Sequence, residues 1–542
     1  MIFQDLCYVT LETETDKHIF QNPGNEVEYQ DVRLKITDQN KIMVTADQSP
    51  LKYLILRWKR KIPGGVRILG DAWERSYGDL EWKGINGSRP LPWYFMMKYT
   101  CDGKKCSSQE TCGTTGSKES HRGSCCSEGY GVKVRPDAMC LWFVDAEGIT
   151  LVLDVRCGGS GAVLNGKTIT AAELVYQKEE TEDSFHFAQE FCRQMCQDGI
   201  VPEHPVYGSN NWYYAYGHSS EEDILKDTKY LATLTEACEN RPYMVIDDGW
   251  QQYRCDEYIG GPWTKGNAKF PDMASLNAKM KALNVRTGIW IRLLQDDKSM
   301  YPDDWRLKHN GCLDPSHPDV LKHIAEDVKR LCDWGFELIK HDFSTYDLFG
   351  RWGFEMTPFV TKDGWSFYDK SMTSAQVVKT LYQTILDAAK GWAIILGCNT
   401  IGHLGAGLMH MNRTGDDTSG KSWHRTRMMG VNTLAFRLPQ HRIFFDVDAD
   451  CVGVMGNIPW SFNRQWADLI VKSGTSFFAS VKPGVMTNEE EKEYEQLLLE
   501  ASEAKNRYIP MDWENNITPQ TWQDREKQVV YHWYAETGEI TA

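Results

Sequence analysis

Apolar residues fall into two different rhythms along this chain. Up to about residue 200 they come in short β-rich runs divided by polar turns: VRLKIT, KIMVTA, YLILRWKR, WYFMMKYT, MCLWFVDA and ITLVLDVR. Short strands at regular spacing predict an antiparallel β-sandwich. The GGSG at 158–161 and the LNGK at 164–167 supply hairpin punctuation.

After Pro202 the runs become continuous and alternate with helical segments. PVYGSNNW precedes a helix expected at 220–238, RPYMVIDDGW one at 273–283, and VRTGIWIRL one at 318–334. FELIKHDF leads to 374–389, MNRTGDDT to 422–436, and HRIFFDVDADC to 463–472. TSFFAS leads into the strongly helical MTNEEEKEYEQLLLEASEAK, and only AIILGCNT lacks a clear following helix. Strands buried on both faces and joined by helices form a parallel sheet. Eight such units predict a TIM barrel. A doubly wound sheet is the runner-up, and no Gly-rich dinucleotide loop supports it. The expected layout is therefore multidomain: an N-terminal antiparallel β-sandwich at 1–202, a central (β/α)8 barrel at 203–505 and a short C-terminal β segment at 506–542.

Composition refines this picture. A chain of 542 residues with 41% hydrophobic and 25% charged residues suits a globular protein of several domains. Its net charge of −15, with no basic stripe, argues against a nucleic-acid partner. No apolar run reaches the length of a membrane span, and MIFQDLCYVTLETETD does not read as a signal peptide. A cytoplasmic location is expected, and a homo-oligomer stays open. The 20 Trp and 24 Tyr suit stacking on sugar rings, or equally a large aromatic core. Of the 16 Cys, Cys332, Cys398 and Cys451 sit in apolar contexts as small hydrophobes. Cys101, Cys106, Cys112, Cys125 and Cys126 crowd near His121 without paired CxxC spacing, so a surface insertion is favoured over zinc. No metal or cofactor is expected.

Barrel chemistry lies at the C-terminal strand ends. Those ends carry Asp247 and Asp248 on strand two, Trp290 and Arg292 on three, and Lys340 and Asp342 on four. Strand five supplies Cys398 and Asn399, six Arg413, Asp416 and Asp417, and seven Asp446, Asp448 and Asp450. One such aspartate is commonly a helix cap, but charged side chains at five strand ends together point to a site. Carboxylates without a His cluster fit a hard-metal site or glycoside hydrolysis. Trp212, Trp250, Trp290 and Trp352 near the rim favour the sugar. Lys340, two residues before Asp342 on the same strand face, opposes a metal and lowers the carboxyl pKa as a nucleophile requires.

Five segments, VIDDGWQ, LIKHDFS, ILGCNT, NRTGDDTSG and DAWERSYGDLEW, resemble tracts of the retaining α-galactosidases of glycoside hydrolase family 36, whose clan includes family 27. The last resembles a tract of that family's leading β-domain. The resemblance implies double displacement with Asp342 as nucleophile and no cofactor. It implies sugar contacts by Asp247, Asp248, Arg292, Lys340, Cys398, Arg413 and Asp417. A retaining pair places its carboxyls about 5–5.5 Å apart. Family 36 spacing selects Asp416 as acid/base, and family 27 spacing from Arg413 selects Asp417. Neighbours on an extended strand face opposite ways, so one of the two is expected in the pocket, and the threonine match with Thr418 favours Asp416. The chain departs from the family pattern at Ser344, at Arg413-Thr414-Gly415 and at WIRLL. The expected partner is an oligosaccharide or glycoside ending in α-galactose or a relative such as α-N-acetylgalactosaminide. A raffinose-synthase-like transglycosylase and a non-catalytic sugar-binding homologue are the alternatives.

Overall fold

The computed structural model describes residues 6–100 and 125–534. Cys101, Cys106, Cys112 and His121 lie outside the described residues, while Cys125 and Cys126 are buried on the strand Cys125–Val132. Among the described residues, no helix is long and apolar enough to cross a membrane.

The chain forms two compact units. The first comprises Met1–Ala72, Glu81–Gln197 and Lys370–Ala375. It is built from a six-stranded and a seven-stranded sheet, with antiparallel pairings such as Leu6–Thr13 with Leu51–Lys59 and Cys125–Val132 with Thr168–Glu180. Val32–Ile36 buries every second residue, which gives its sheet an inner face. Phe95 of the larger sheet meets Trp142 of the smaller edge to face, with centroids 5.8 Å apart, inside the sandwich core. Residues 370–375 belong here and not with the barrel: Ser374 N–H donates to the Arg156 carbonyl at 2.7 Å.

The second unit comprises Trp73–Leu80, Asp198–Asp369 and Gln376–Ala542. Eight parallel strands close a barrel in chain order: β1 (Tyr207–Asn210), β2 (Tyr243–Ile246), β3 (Arg286–Ile291), β4 (Leu338–His341), β5 (Ile394–Gly397), β6 (Met411–Arg413), β7 (Asp446–Val454) and β8 (Ser476–Val481). Pairing of β1 with β8 completes the closure. Val245, Leu338, Leu396, Met411 and Phe478 fill the interior, as the inward-facing positions of a barrel must.

Helices form where caps and period agree. Ser220 and Asp223 make a capping box for Glu221–Leu234, and Pro318 opens Pro318–Asp333. Ser374–Ala389 runs as its pattern predicts, and β5 is followed only by the four-residue helix Gly402–Gly405. The C-terminal strands Ile509–Pro510, Thr521–Asp524 and Lys527–Val530 form a small antiparallel sheet within the barrel unit.

One division differs from the pattern-based layout. Residues 73–80, read as part of the leading β region, belong to the barrel unit. Ser76 N–H donates to the Thr414 carbonyl at 2.8 Å, in a parallel bridge just past β6. Gly415 lets the chain beyond β6 pass close to the Thr426–Asn432 turn, because a Cβ there would stand 2.2 Å from the Met429 carbonyl oxygen.

Candidate active site

The C-terminal ends of the barrel strands and residues 73–80 enclose a cavity of about 320 Å³. At its floor is Asp342, one residue beyond β4. Strand β4 lies between β3 and β5, with Trp290 opposite Lys340, so donors from both neighbours reach the Asp342 carboxylate. The Trp290 indole N–H donates to Oδ2 at 3.0 Å, and the Asn399 amide to Oδ1 at 2.5 Å. Phe343 N–H adds a third bond to Oδ1 at 2.6 Å. Phe343 holds φ at +63° and Asn399 at +52°, unusual for a bulky aromatic in particular. Burial raises the Asp342 pKa, but Lys340, the Asn399 and Trp290 bonds and Arg413 outweigh it and hold the carboxyl below its ordinary value.

Lys340 donates to Asp247 Oδ2 at 2.8 Å, and Asn210 donates to the same oxygen at 2.6 Å. Burial opposes the lysine's charge, and Asp247 more than offsets it, so Lys340 stays an ammonium. Asp248 accepts from Gln251 Nε2 at 2.6 Å, and its pKa is raised by burial. An ammonium seated among these carboxylates supplies the positive charge that a hard cation would otherwise bring.

Strand β6 ends at Arg413, so Thr414 to Asp417 leave the sheet before strand alternation applies to them. The expectation that one of Asp416 and Asp417 faces away is corrected: both line the cavity. The buried Arg413 donates to Asp417 Oδ1 at 2.5 Å. Burial works to raise Asp417, yet Arg413 brings its pKa down to about 2. Asp416 is gripped from two sides, by Arg75 Nη1 at 3.0 Å and by Arg425. The Arg75 guanidinium also lies 5.4 Å from the ring centres of both Tyr77 and Trp352.

Asp247, Asp248, Lys340, Asp342, Arg413, Asp416 and Asp417 are thus brought together around one cavity. Cys398 sits behind Arg413, whose Nη1 donates to Sγ at 3.4 Å. Arg292 is not among the lining residues. It makes a two-pronged pair with Asp347, at 2.9 and 2.5 Å, and lies 4.3 Å from the Phe343 ring centre, so it props a cavity wall. Trp212, Trp290 and Trp352 do line the cavity, whereas Trp250 is core, its indole N–H bonded to the Trp290 carbonyl at 2.9 Å. Asp446 opens β7 at the far end from the cavity, 3.2 Å from His441, because that strand starts there and runs to Val454. Asp450, with φ +72° at a bulge in β7, accepts Thr418 N–H at 2.7 Å and shapes the loop carrying Asp416 and Asp417.

Sequence reasoning missed Arg75, Tyr77, Phe343 and Phe354 as cavity residues. The DAWERSYGDLEW tract held the signal for the first two: adjacent Glu74 and Arg75 amid aromatics are unusual for a solvated turn. Both are nearly fully buried, and Glu74 Oε2 accepts Gly353 N–H at 2.8 Å, anchoring the loop that carries Trp352 and Phe354.

The cavity joins one triply hydrogen-bonded carboxylate with four further carboxyls, two guanidiniums, an ammonium and aromatic walls, groups able to hydrogen-bond and stack on a small polyhydroxylated molecule. No family model and no curated protein matches the chain. Solved structures do match. The α-galactosidase from Thermus thermophilus, complexed with p-nitrophenyl α-D-galactopyranoside, aligns over 97% of this chain and 99% of its own, with TM-score 0.58 at 15% identity. The family 36 α-galactosidase AgaA from Geobacillus stearothermophilus aligns over 95% of this chain and 70% of its own, with TM-score 0.59 at 13% identity. The α-galactosidase from Lactobacillus brevis aligns over 93% and 67%, with TM-score 0.57 at 13% identity. The fold of this chain is the fold of those enzymes.

Proposed function

We propose that the protein is a retaining glycoside hydrolase that releases terminal α-linked galactose, or a related α-glycoside such as α-N-acetylgalactosaminide. The observation that carries this reading is Asp342: a buried carboxylate kept ionised by Lys340, Asn399 and Trp290, in one cavity with Asp416 and Asp417. The ligands named for the similar structures, p-nitrophenyl α-D-galactopyranoside, stachyose and raffinose, support the same substrate class.

In this reading an Asp342 oxygen bonds to the anomeric carbon as the bond to the leaving oxygen breaks. Oδ2 carries one donor and Oδ1 two, so Oδ2 is the freer nucleophile. Asp416 gives its proton to the leaving oxygen, then takes one from the water that opens the glycosyl-enzyme. Asp417, held ionised by Arg413, is poorly suited to donate a proton and instead accepts from a sugar hydroxyl. Arg425 is 41% exposed at its side chain and is the contact on Asp416 that can open most readily, while Arg75 stays in the wall at 7%. Asp247, Asp248 and Lys340 hold the far side of the ring.

Nitrophenyl α-galactoside, N-acetylgalactosaminide, glucoside and xyloside would be compared as substrates, and a 2-fluoro glycosyl donor used to trap the enzyme. Hydrolysis of one of the first two and a mass increment on the peptide bearing Asp342 are expected. If no donor labels Asp342, the proposed chemistry fails and a sugar-binding protein is favoured. Product analysis with added acceptor sugar separates hydrolysis from glycosyl transfer.

A further inference from the structure

A second group of side chains converges away from the cavity. His323 and Asp327 stand one turn apart on Pro318–Asp333, and Asp296 comes from the loop after β3. We propose that Asp296, His323 and Asp327 form a binding site for one divalent transition-metal ion that ties this loop to the helix preceding β4.

Geometry comes first. One ligand atom from each of Asp296, His323 and Asp327 lies within 4.8 Å of the other two. His323 Nε2 is 3.1 Å from Asp296 Oδ2 and 3.4 Å from Asp327 Oδ2. Ligands bound at about 2.0–2.1 Å around a tetrahedral ion stand roughly 3.3–3.4 Å apart, so these spacings suit a shared centre.

The surrounding bonds turn the same atoms inward. Asp296 Oδ1 is taken by Asp297 N–H at 2.7 Å, and Asp327 Oδ1 by Arg330. Each carboxylate therefore has one oxygen anchored from outside and presents Oδ2 to the middle, as supporting partners of metal ligands do. Asp327 is 1% exposed, yet its Oδ2 accepts no hydrogen bond. A buried carboxylate oxygen left unbonded calls for a partner.

The competing arrangement is an imidazolium held between two aspartates. It gives Asp296 Oδ2 a hydrogen bond, but reaches Asp327 Oδ2 only as an ion pair at 3.4 Å, with no hydrogen bond to that oxygen. An ion at the shared centre would serve all three atoms. His323 is the exposed member, at 12% of its side chain against 0% for both aspartates, and so marks the access route and a position for water. Two carboxylate oxygens and one imidazole suit Mn²⁺, Fe²⁺, Co²⁺ or Zn²⁺ better than a soft ion that prefers sulfur.

Mn²⁺ is the probe, because it binds thiolates poorly and the chain's cysteines then add little background. After EDTA treatment and desalting, the protein would be titrated with Mn²⁺ and free ion followed by its EPR signal. One saturable site per chain is expected, with binding weakened more than about tenfold in His323→Ala and in Asp327→Asn. Asp342→Asn should bind Mn²⁺ as the wild type does, which separates this site from the cavity carboxylates. Mn²⁺ should also raise the wild-type melting temperature and leave that of His323→Ala unchanged. Should the alanine variant fail to fold, His323→Gln, which keeps a donor toward Asp296, replaces it. Absence of a saturable site, or unchanged binding in both site variants, overturns the proposal. Glycosidase activity enters none of these readouts, so the assignment of Asp342 stands or falls separately.

Discussion

Removing a single N–H from Trp290 should move the pH profile of the reaction. In Trp290→Phe an aromatic side chain still fills the site beside Trp263, whose centroid lies 5.9 Å away, but the 3.0 Å bond to Asp342 Oδ2 is gone. A hydrogen bond to a charged group contributes about 1.5–3 kcal/mol, which corresponds to roughly one to two pKa units. The Asp342 carboxyl, now below its ordinary value, would rise by that amount, and the acid limb of kcat/KM would rise with it. Stability follows with a defined sign. An aspartate whose folded pKa lies below its unfolded value of about 3.9 contributes stability that is complete above that pH and is lost as pH falls through the folded pKa. The variant should therefore be about 1.5–3 kcal/mol less stable at pH 7 and converge with wild type in acid. The kcat/KM profile with a nitrophenyl α-galactoside and urea unfolding at two pH values measure both effects. An acid limb and a neutral-pH stability that both match wild type would refute the idea that Trp290 holds the carboxylate.

Asp416→Ala should spare glycosides with acidic leaving groups in the first step and recover turnover when azide is supplied; azide rescue of Asp417→Ala alone would reverse their roles. Burial pushes Glu74 up to about 7, so its carboxyl costs the fold stability as pH rises from about 4.3 through that value. Glu74→Gln, which can still accept Gly353 N–H, should match wild type near pH 4 and exceed it at pH 8 in chemical denaturation. Arg292→Ala leaves Asp347 buried and unpaired and takes the support from Phe343; a stability loss of about 3–5 kcal/mol is expected, with a fall in kcat/KM, and unfolding curves plus kinetics measure both.

The barrel was legible because its strands and helices repeat two distinct periods, and Pro318–Asp333 and Ser374–Ala389 appear where pattern and caps place them. Asp247, Asp248, Lys340 and Asp342 were legible as strand ends, since a barrel collects those ends on one face. Periodicity failed wherever the strand stopped early. Strand β6 spans three residues, so Asp416 and Asp417 follow a loop path that alternation cannot describe. Arg292 and Trp250 carry the residue types of a sugar site, but neighbours distant in sequence, Asp347 for one and the Trp290 backbone for the other, claim them. The place of residues 73–80 depends on a pairing with residues 414 and 415 that no local pattern encodes.

That pairing also sets a timetable. Ser76 and Thr414 are 338 residues apart, and at about 5–20 residues per second a ribosome needs roughly 17–68 s to make the chain between them. Through that interval Glu74, Arg75 and Tyr77 have been synthesised, but their barrel partners Gly353 and Asp416 have not yet all been made. A newborn chain therefore carries a finished wall with no room behind it. Truncations that stop before β6 would leave this charged, aromatic stretch open to chaperones and proteases, however well the preceding sheets have folded.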